Sequence, residues 1–244
     1  MIHSQMFFVV SRGHNGGEFV SYLVNQSPAF ENRARPQYQP YHSFLGTHYR
    51  ICDDWNLQFD AQFQDFYNNH VRQKPEPPYD VDEPEFVKLL YQYKKLNRQQ
   101  KLCLFLNVVD YTKTVHMVHK YGCKAIGCIQ NMPDNPARHH HIMMEFDPTS
   151  TNAVEGPNQA NYDYQALVEQ LADWDQEESL YSFDDFDYVF DHSRAQDTEY
   201  VLEMYAALDI PAPDPRKLET VIADYYIKNM PTHEYCWKIN QEKM

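Results

Sequence analysis

The chain has 244 residues, of which 43% are hydrophobic and 15% aromatic, and a formal net charge of −14 at pH 7. The aromatic content excludes a disordered protein, because so many large apolar side chains can bury a core. The acidic balance excludes a general nucleic-acid binder, which needs a basic surface to hold phosphates. The length suits one α/β domain spanning residues 1–244.

The first elements are predicted to be a buried strand, a glycine-rich turn and a helix. Met6-Phe7-Phe8-Val9-Val10 is a continuous apolar run, as expected of a strand that is covered on both faces. The segment 11–17 (SRGHNGG) follows as a turn, and the apolar residues of 18–25 recur at helical spacing. The segment 26–50 contains spaced prolines and is predicted to be irregular.

Further along the chain, helices alternate with strands. The predicted helices are 53–72, 84–97, 111–121, 163–174, 197–208 and 216–228, and the predicted strands are 102–109, 124–130 and 188–190. The segment 73–84 is predicted to be a surface loop or lid, because its prolines lack backbone donors and restrict the residues before them. This alternation indicates an α/β fold with a mainly parallel sheet and helical insertions.

Apolar stretches and cysteines restrict the cellular setting. No apolar stretch approaches the roughly 20 residues needed to cross a bilayer. The opening MIHSQMFFVV has neither the basic region nor the cleavage site of a signal peptide. The five cysteines are an odd, scattered set that does not predict a disulfide framework. We therefore expect reduced cysteines and a cytoplasmic protein without a membrane partner.

The glycines near the amino terminus are the strongest functional signal. Three of the seven, Gly13, Gly16 and Gly17, fall within five positions between the first strand and the first helix. Glycine permits positive φ, and the amides at a helix start favour an anion. The turn therefore predicts a phosphate-binding loop, with a tight turn that binds no ligand as the alternative. Glu18 follows Gly17, so the signature GxxxxGK[ST] is absent and a Mg²⁺-dependent NTPase is not expected.

The segment FFVVSRGHNGGEFVSYLVNQSPAF resembles the amino-terminal segment of the PAPS-dependent sulfotransferases. The family's helix and loop patterns are matched by Phe19, Ser21, Leu23, Asn25 and Pro28, and by Gly16 at the loop glycine. The stretches FDYVFDHSRAQDTEYVLEMYAALDIPAPD and IADYYIKN also resemble the family's carboxy-terminal part. The resemblance implies a three-layer, P-loop NTPase-like fold with a mainly parallel central sheet. It also implies sulfuryl transfer from PAPS to a hydroxyl or amine acceptor, a glycan or small metabolite, without a metal.

The resemblance implies that the turn holds the phosphosulfate of PAPS. The residues expected to bind it are Arg12, Gly13, His14, Asn15, Gly16, Gly17 and Glu18, and those nearest the family's second motif are Gln130 and Arg138. The candidate catalytic residues are His14, Glu18 and His48, with His42 as a further candidate base. The sequence does not choose among these bases.

The chain departs from the family at two places that should bind the anionic groups of PAPS. Gly17 and Glu18 stand where the family has hydroxyl residues, and Gln130 and Asn131 stand where it has an arginine. A carboxylate at a helix start repels a phosphosulfate. These departures favour an alternative: a catalytically inactive protein on the same scaffold that serves as a binding or assembly module, including a homo-oligomer.

Two further clusters contain residue types that can bind metals. His139, His140 and His141 follow Arg138, and His116 and His119 stand three residues apart on a predicted helix, so these histidines could share a metal. No cysteine or carboxylate completes a recognised signature, and we predict a surface or pocket-lining run and no metal. The acidic and aromatic segment 173–191 lacks EF-hand spacing and is predicted to be a half-buried edge segment.

Overall fold

The structure is a computed structural model that describes residues 6–11, 16–30, 82–95, 101–108, 110–129, 182–223 and 225. Its strands are β1 (Met6–Ser11), β2 (Leu102–Asn107), β3 (Lys124–Ile129) and β4 (Tyr188–Asp191). Its helices are α1 (Gly17–Val24), α2 (Glu83–Lys95), α3 (Tyr111–Lys120), α4 (Thr198–Ala207) and α5 (215–223), and a 3₁₀ turn (His192–Arg194) follows β4.

These elements confirm the corresponding sequence predictions, with element ends within two residues wherever both ends are described. Helix α2 begins at Glu83, so the last two residues of the predicted loop or lid 73–84 belong to a helix. The predicted helices 53–72 and 163–174, and the predicted loop up to residue 81, lie outside the described residues.

The described strands form one all-parallel sheet in the order β2-β1-β3-β4. Phe8 of β1 lies opposite Leu104 of β2 on one side and Ala125 of β3 on the other. Every residue of β1 is buried, as its uninterrupted apolar run predicts for a strand inside a parallel sheet. The α/β class and the parallel sheet are therefore confirmed for this part of the chain.

Local capping explains where two of the helices begin and end. The Asp110 side chain accepts a backbone N–H from the first turn of α3, and the Asp197 side chain does the same for α4. At the other end of α3, Gly122 has a φ of 70°, and the Cys123 N–H donates to the Val118 carbonyl at 3.1 Å. This is a Schellman motif, in which a left-handed glycine ends the helix.

Polar side chains from the end of α1 close the outer edge of β2. Asn25 Nδ2 donates to the Cys103 carbonyl at 2.8 Å, and Asn25 Oδ1 accepts the Cys103 N–H at 3.1 Å. Ser21 Oγ donates to the same carbonyl at 3.3 Å. Two residues earlier in the strand direction, the Lys101 N–H donates to the Ala29 carbonyl at 3.1 Å. The first half of β2 is thus satisfied on the side that faces away from β1.

The carboxy-terminal part of the described chain packs on α1. The Tyr205 hydroxyl donates to the Leu23 carbonyl, and Ser27 Oγ donates to the Pro211 carbonyl at 2.6 Å. Residues from all four strands and from α1, α4 and α5 belong to one hydrophobic core. The two ends of the described chain are therefore parts of a single folded unit.

Asn25→Ala should lower the free energy of unfolding by about 3 kcal/mol, because the buried N–H of Cys103 loses its acceptor and the carbonyl loses its shorter bond. Ser21→Ala removes only the longer bond and is the matched control, with an expected loss of about 1 kcal/mol or less. Urea unfolding measures both. Equal losses would contradict the proposed role of Asn25 in closing the strand edge.

Candidate functional site

The carboxyl ends of the four strands lie at one edge of the sheet. Ser11 lies opposite Asn107 at the ends of β1 and β2, and Ile129 lies opposite Asp191 at the ends of β3 and β4. Among the described strands, β2 is the next in the chain after β1 and lies on one side of it. β4 is the next after β3 and lies on the opposite side. Ligands of open parallel sheets bind at the carboxyl edge where connections diverge in this way. The predicted glycine turn, residues 12–17, follows β1 in the sequence, and the structure describes its last two residues, Gly16 and Gly17.

Gly16 forms the described junction between the glycine turn and α1. It is the N-cap residue, with φ 78° and ψ 13°, a left-handed conformation that glycine adopts without strain. Its carbonyl accepts the Val20 N–H at 3.1 Å and so begins the helix. The helix dipole makes this end of α1 attractive to an anion. The predicted turn geometry is confirmed at Gly16.

The structure describes only part of the predicted ligand set. Gly16 and Gly17 lie at the junction of the turn and α1, and the backbone of Glu18 lies in the first turn of that helix. The remaining predicted site residues lie outside the described residues: Arg12, Gly13, His14, Asn15, His42, His48, Gln130 and Arg138. Their roles stay predictions.

Close packing explains why positions 16 and 17 are glycines. A Cβ on Gly16 would lie 2.1 Å from Cδ2 of His192, and a Cβ on Gly17 would lie 2.4 Å from Cε2 of Phe105 and 2.5 Å from Oγ of Ser11. No side chain fits at either position unless these neighbours move. The space beside Gly16 is therefore filled by an imidazole rather than left open on that side.

His192 belongs to a buried aromatic cluster at the start of α1. Its Nε2 lies 3.0 Å from the Tyr225 hydroxyl, at hydrogen-bonding distance. The Tyr225 ring stacks on Phe19, with centroids 3.6 Å apart and planes 8° apart, and Phe19 meets the imidazole edge-on at 6.1 Å. His192 is only 1% exposed. The cluster joins the cap of α1, the end of β4 and the last described helix.

Local structure after β4 carries His192 into this position. Asp191 ends the strand, and its Oδ1 accepts both the N–H and the hydroxyl of Ser193, which turns the chain into the 3₁₀ segment. The Asp191 N–H donates to the Tyr200 hydroxyl at 2.7 Å, which ties the strand end to α4. The sequence analysis missed His192 and Tyr225. A usable signal for His192 was present, because it follows a predicted strand at the edge where ligands bind.

The histidines of α3 pair with carboxylates. His119 Nε2 lies 3.0 Å from Asp187 Oδ2, and His116 Nε2 lies 3.7 Å from Asp185 Oδ2. Among the residues that the structure describes, no three histidine, cysteine or acidic side chains converge on a possible metal position. The histidine run 139–141 lies outside these residues, so the idea that it shares a metal with α3 is not tested.

The segment before β4 has the predicted half-buried character. Phe183 and Phe186 are partly buried, whereas Asp184 and Asp185 are exposed. Phe186 lies over Gly127 of β3, where an added Cβ would be 3.2 Å from its ring. Within 182–191, the alternation of aromatic and acidic residues therefore serves to cover the sheet on one side and face water on the other.

The described cysteines are poor nucleophiles. Cys103, Cys123 and Cys128 are buried and are not in disulfides, which confirms the expectation of reduced cysteines for these three. Burial raises the pKa of the Cys123 thiol to about 12 and the pKa of Cys103 still further above its ordinary value. Both are therefore thiols at neutral pH, and catalysis by a thiolate is not expected from them.

Comparisons with known proteins give no family assignment: no protein-family profile, curated protein or solved structure matches the chain. A separate property of the described helices concerns membranes. None of them combines the length and the apolar character needed to cross a bilayer.

Gly16→Ala should lower the free energy of unfolding by about 3 kcal/mol, from the positive φ and the clash with His192 together. Gly122→Ala is the matched control, since Gly122 also has a positive φ of 70° but is exposed, and about 1 kcal/mol is expected there. Chemical denaturation measures both changes.

A double-mutant cycle with His192→Ala isolates the contact between the two residues. Because His192→Ala removes the clashing ring, the double variant should be more stable than the sum of the two single losses by about 1 kcal/mol or more. Simple additivity would mean that the imidazole is not what restricts position 16.

Proposed function

We propose that this chain is a sulfotransferase-like protein that binds PAPS at the glycine turn and transfers its sulfuryl group to a hydroxyl or amine acceptor. The observation that carries the proposal is Gly16: it caps α1 in a left-handed conformation, at the start of the helix that follows β1, one of the two inner strands of the described parallel sheet. That junction is where parallel α/β sheets hold anionic ligands against helix amides.

The strand order supports a three-layer, P-loop-type arrangement. Helix α1 follows β1 and packs against β1 and β2, whereas α3 follows β2 and packs against β1 and β3. Connections between parallel strands are nearly always right-handed. Crossovers that run in opposite directions along the sheet would place their helices on opposite faces, which supports the proposed three-layer arrangement.

The residues that carry the resemblance also have structural roles here. Ser21 and Asn25 match the family's helix pattern, and both bind the backbone of β2 at Cys103. Leu23 is fully buried in the core. A pattern that is used to attach the first helix to the sheet supports a shared fold. It does not by itself support a shared activity, since function resides in the site rather than in the scaffold.

The chemistry of the proposed reaction assigns the protein two tasks: it must stabilise the charge on the leaving group and take a proton from the acceptor. An acceptor oxygen or nitrogen forms a bond to sulfur while the bond from sulfur to the phosphate oxygen breaks, and adenosine 3′,5′-bisphosphate leaves. Amides at the start of α1 would stabilise the negative charge that develops on that oxygen. A base takes the acceptor's proton, for which His14, Glu18 and His48 are the candidates. Arg12 would add positive charge beside the turn.

A binding or assembly module without catalysis is the second candidate. It is favoured by the packing at Gly16 and Gly17, where His192 and Phe105 leave no room for a side chain. Packing alone is a sufficient reason for glycine at both positions, so two of the three clustered glycines do not require a ligand. Ligand binding and turnover must therefore be measured separately.

Adenosine 3′,5′-bisphosphate should raise the thermal unfolding temperature. At one hundred times its dissociation constant the ligand stabilises the folded state by about 2.7 kcal/mol, which corresponds to a shift of about 5–10 °C for a chain of this size. Arg12→Ala should reduce the shift, whereas Arg216→Ala, on the exposed start of α5, should not. If neither the bisphosphate at millimolar concentration nor Zn²⁺ changes the unfolding temperature, the nucleotide site is rejected and the assembly module is favoured.

His14→Ala tests catalysis, with binding measured beside it because His14 is also among the residues expected to contact PAPS. If His14 takes the acceptor's proton, sulfuryl transfer from PAPS should fall by about 100-fold or more at saturating PAPS, a larger loss than any reduction of the thermal shift with the bisphosphate explains. Transfer is measured against a panel of hydroxyl and amine acceptors. Unchanged turnover would remove His14 from the mechanism and leave Glu18 and His48 as the candidate bases.

A further inference from the structure

The glycine turn and the last described helix are connected through two side chains. His192 lies against Gly16 so closely that its ring would clash with any Cβ there, and its Nε2 lies 3.0 Å from the Tyr225 hydroxyl. The Tyr225 ring in turn stacks on Phe19, which is in the first turn of α1. His192, Tyr225 and Phe19 all contact one another, and Gly16 and Phe19 belong to α1 or its cap.

This arrangement holds the start of α1 from two directions. The imidazole edge confines Gly16, and the stacked Tyr225 ring confines Phe19. The hydrogen bond between His192 and Tyr225 links the two side chains to each other. Because all of these side chains are nearly or fully buried, a displacement of one must be accommodated by the others.

We infer that His192 and Tyr225 are positioning residues for the glycine turn: together they fix Gly16 and so set the direction of the first amides of α1. This inference extends the proposed function, because those amides are the ones that would face the anion. It rests on the proposed function only for its effect on ligand affinity. Its structural part, that the docking of the last helix governs the order of the α1 start, holds with or without a ligand.

Linkage makes the effect reciprocal. If the docked Tyr225 favours the ligand-competent turn, then a ligand bound at the turn must favour the docked helix by the same factor. Adenosine 3′,5′-bisphosphate should therefore slow hydrogen exchange in the helix 215–223, although this helix follows β1 by about 200 residues in the sequence.

Hydrogen exchange of the Val20 amide tests the structural part, because this N–H donates to the Gly16 carbonyl. Tyr225→Phe keeps the ring that stacks on Phe19 and removes only the hydroxyl. We expect exchange of Val20 to become about fivefold faster relative to that of Asn25, whose N–H donates to Ser21 further along the same segment. An unchanged ratio of the two rates would overturn the inference.

Tyr205→Phe is the matched control. It removes a buried tyrosine hydroxyl that bonds the Leu23 carbonyl, at the opposite end of α1. It should destabilise the protein to a similar extent without selectively speeding exchange of Val20. Equal effects of the two variants on Val20 would mean that any lost hydroxyl loosens α1, and the specific role of Tyr225 would be rejected.

Two further measurements keep the inference open to refutation. In wild-type protein at low urea, the amides of Val20 and Ile222 should exchange through the same opening, with the same dependence on urea. Opening of the last helix that leaves Val20 protected would overturn the coupling.

In the ligand experiment, failure of wild-type protein to bind the bisphosphate rejects the proposed function alone. Binding that Tyr225→Phe leaves unchanged, relative to Tyr205→Phe, rejects the positioning role alone.

Discussion

Strand β1 has no side that faces water, and the elements around it are arranged to cover it. Its two edges are paired with β2 and β3, and α1 and α3 both pack against it. All six of its residues are buried, including Ser11 at its carboxyl end. An enclosed strand requires mainly apolar side chains, and the polar residue of β1, Ser11, stands at its carboxyl end.

Helix α1 is attached to the sheet by a different physical device at each end. At its start, a missing side chain at Gly16 allows the His192 ring to approach, and shape alone holds the contact. At its end, the Asn25 amide takes the place of a neighbouring strand and bonds both backbone groups of Cys103. The first device fixes the position of the cap and the second fixes the helix against β2. Together they determine the direction of the helix axis at the carboxyl edge.

The strands and helices could be predicted from the sequence because the residues that determine them are local. The run Met6–Val10 requires a buried strand, Gly122 supplies the left-handed residue that ends α3, and the aspartates before α3 and α4 provide caps. Each of these signals lies within a few residues of the element that it determines. The described strands and α-helices could therefore be predicted to within two residues of their ends wherever both ends are described, whereas the 3₁₀ turn after β4 was not predicted.

The candidate site could be predicted only where its cause was also local. The turn at Gly16 follows from the spacing of glycines, whereas the contact between Gly16 and His192 joins residues that are far apart in the sequence. Nothing in the neighbourhood of Tyr225 indicates that its ring will stack on Phe19. Such pairings follow from the order of the strands, and the strand order is fixed by the complete core rather than by any segment.

The order of the elements has a consequence during synthesis. β1 is made first, but its pairing partner β2 begins at Leu102 and the ring that stacks on Phe19 arrives with Tyr225. At a translation rate of about 5–20 residues per second, the apolar strand waits roughly 5–20 seconds for β2 and longer still for the last helix. Until β2 has been made, this apolar strand has no pairing partner, which is the condition under which nascent chains are prone to aggregate.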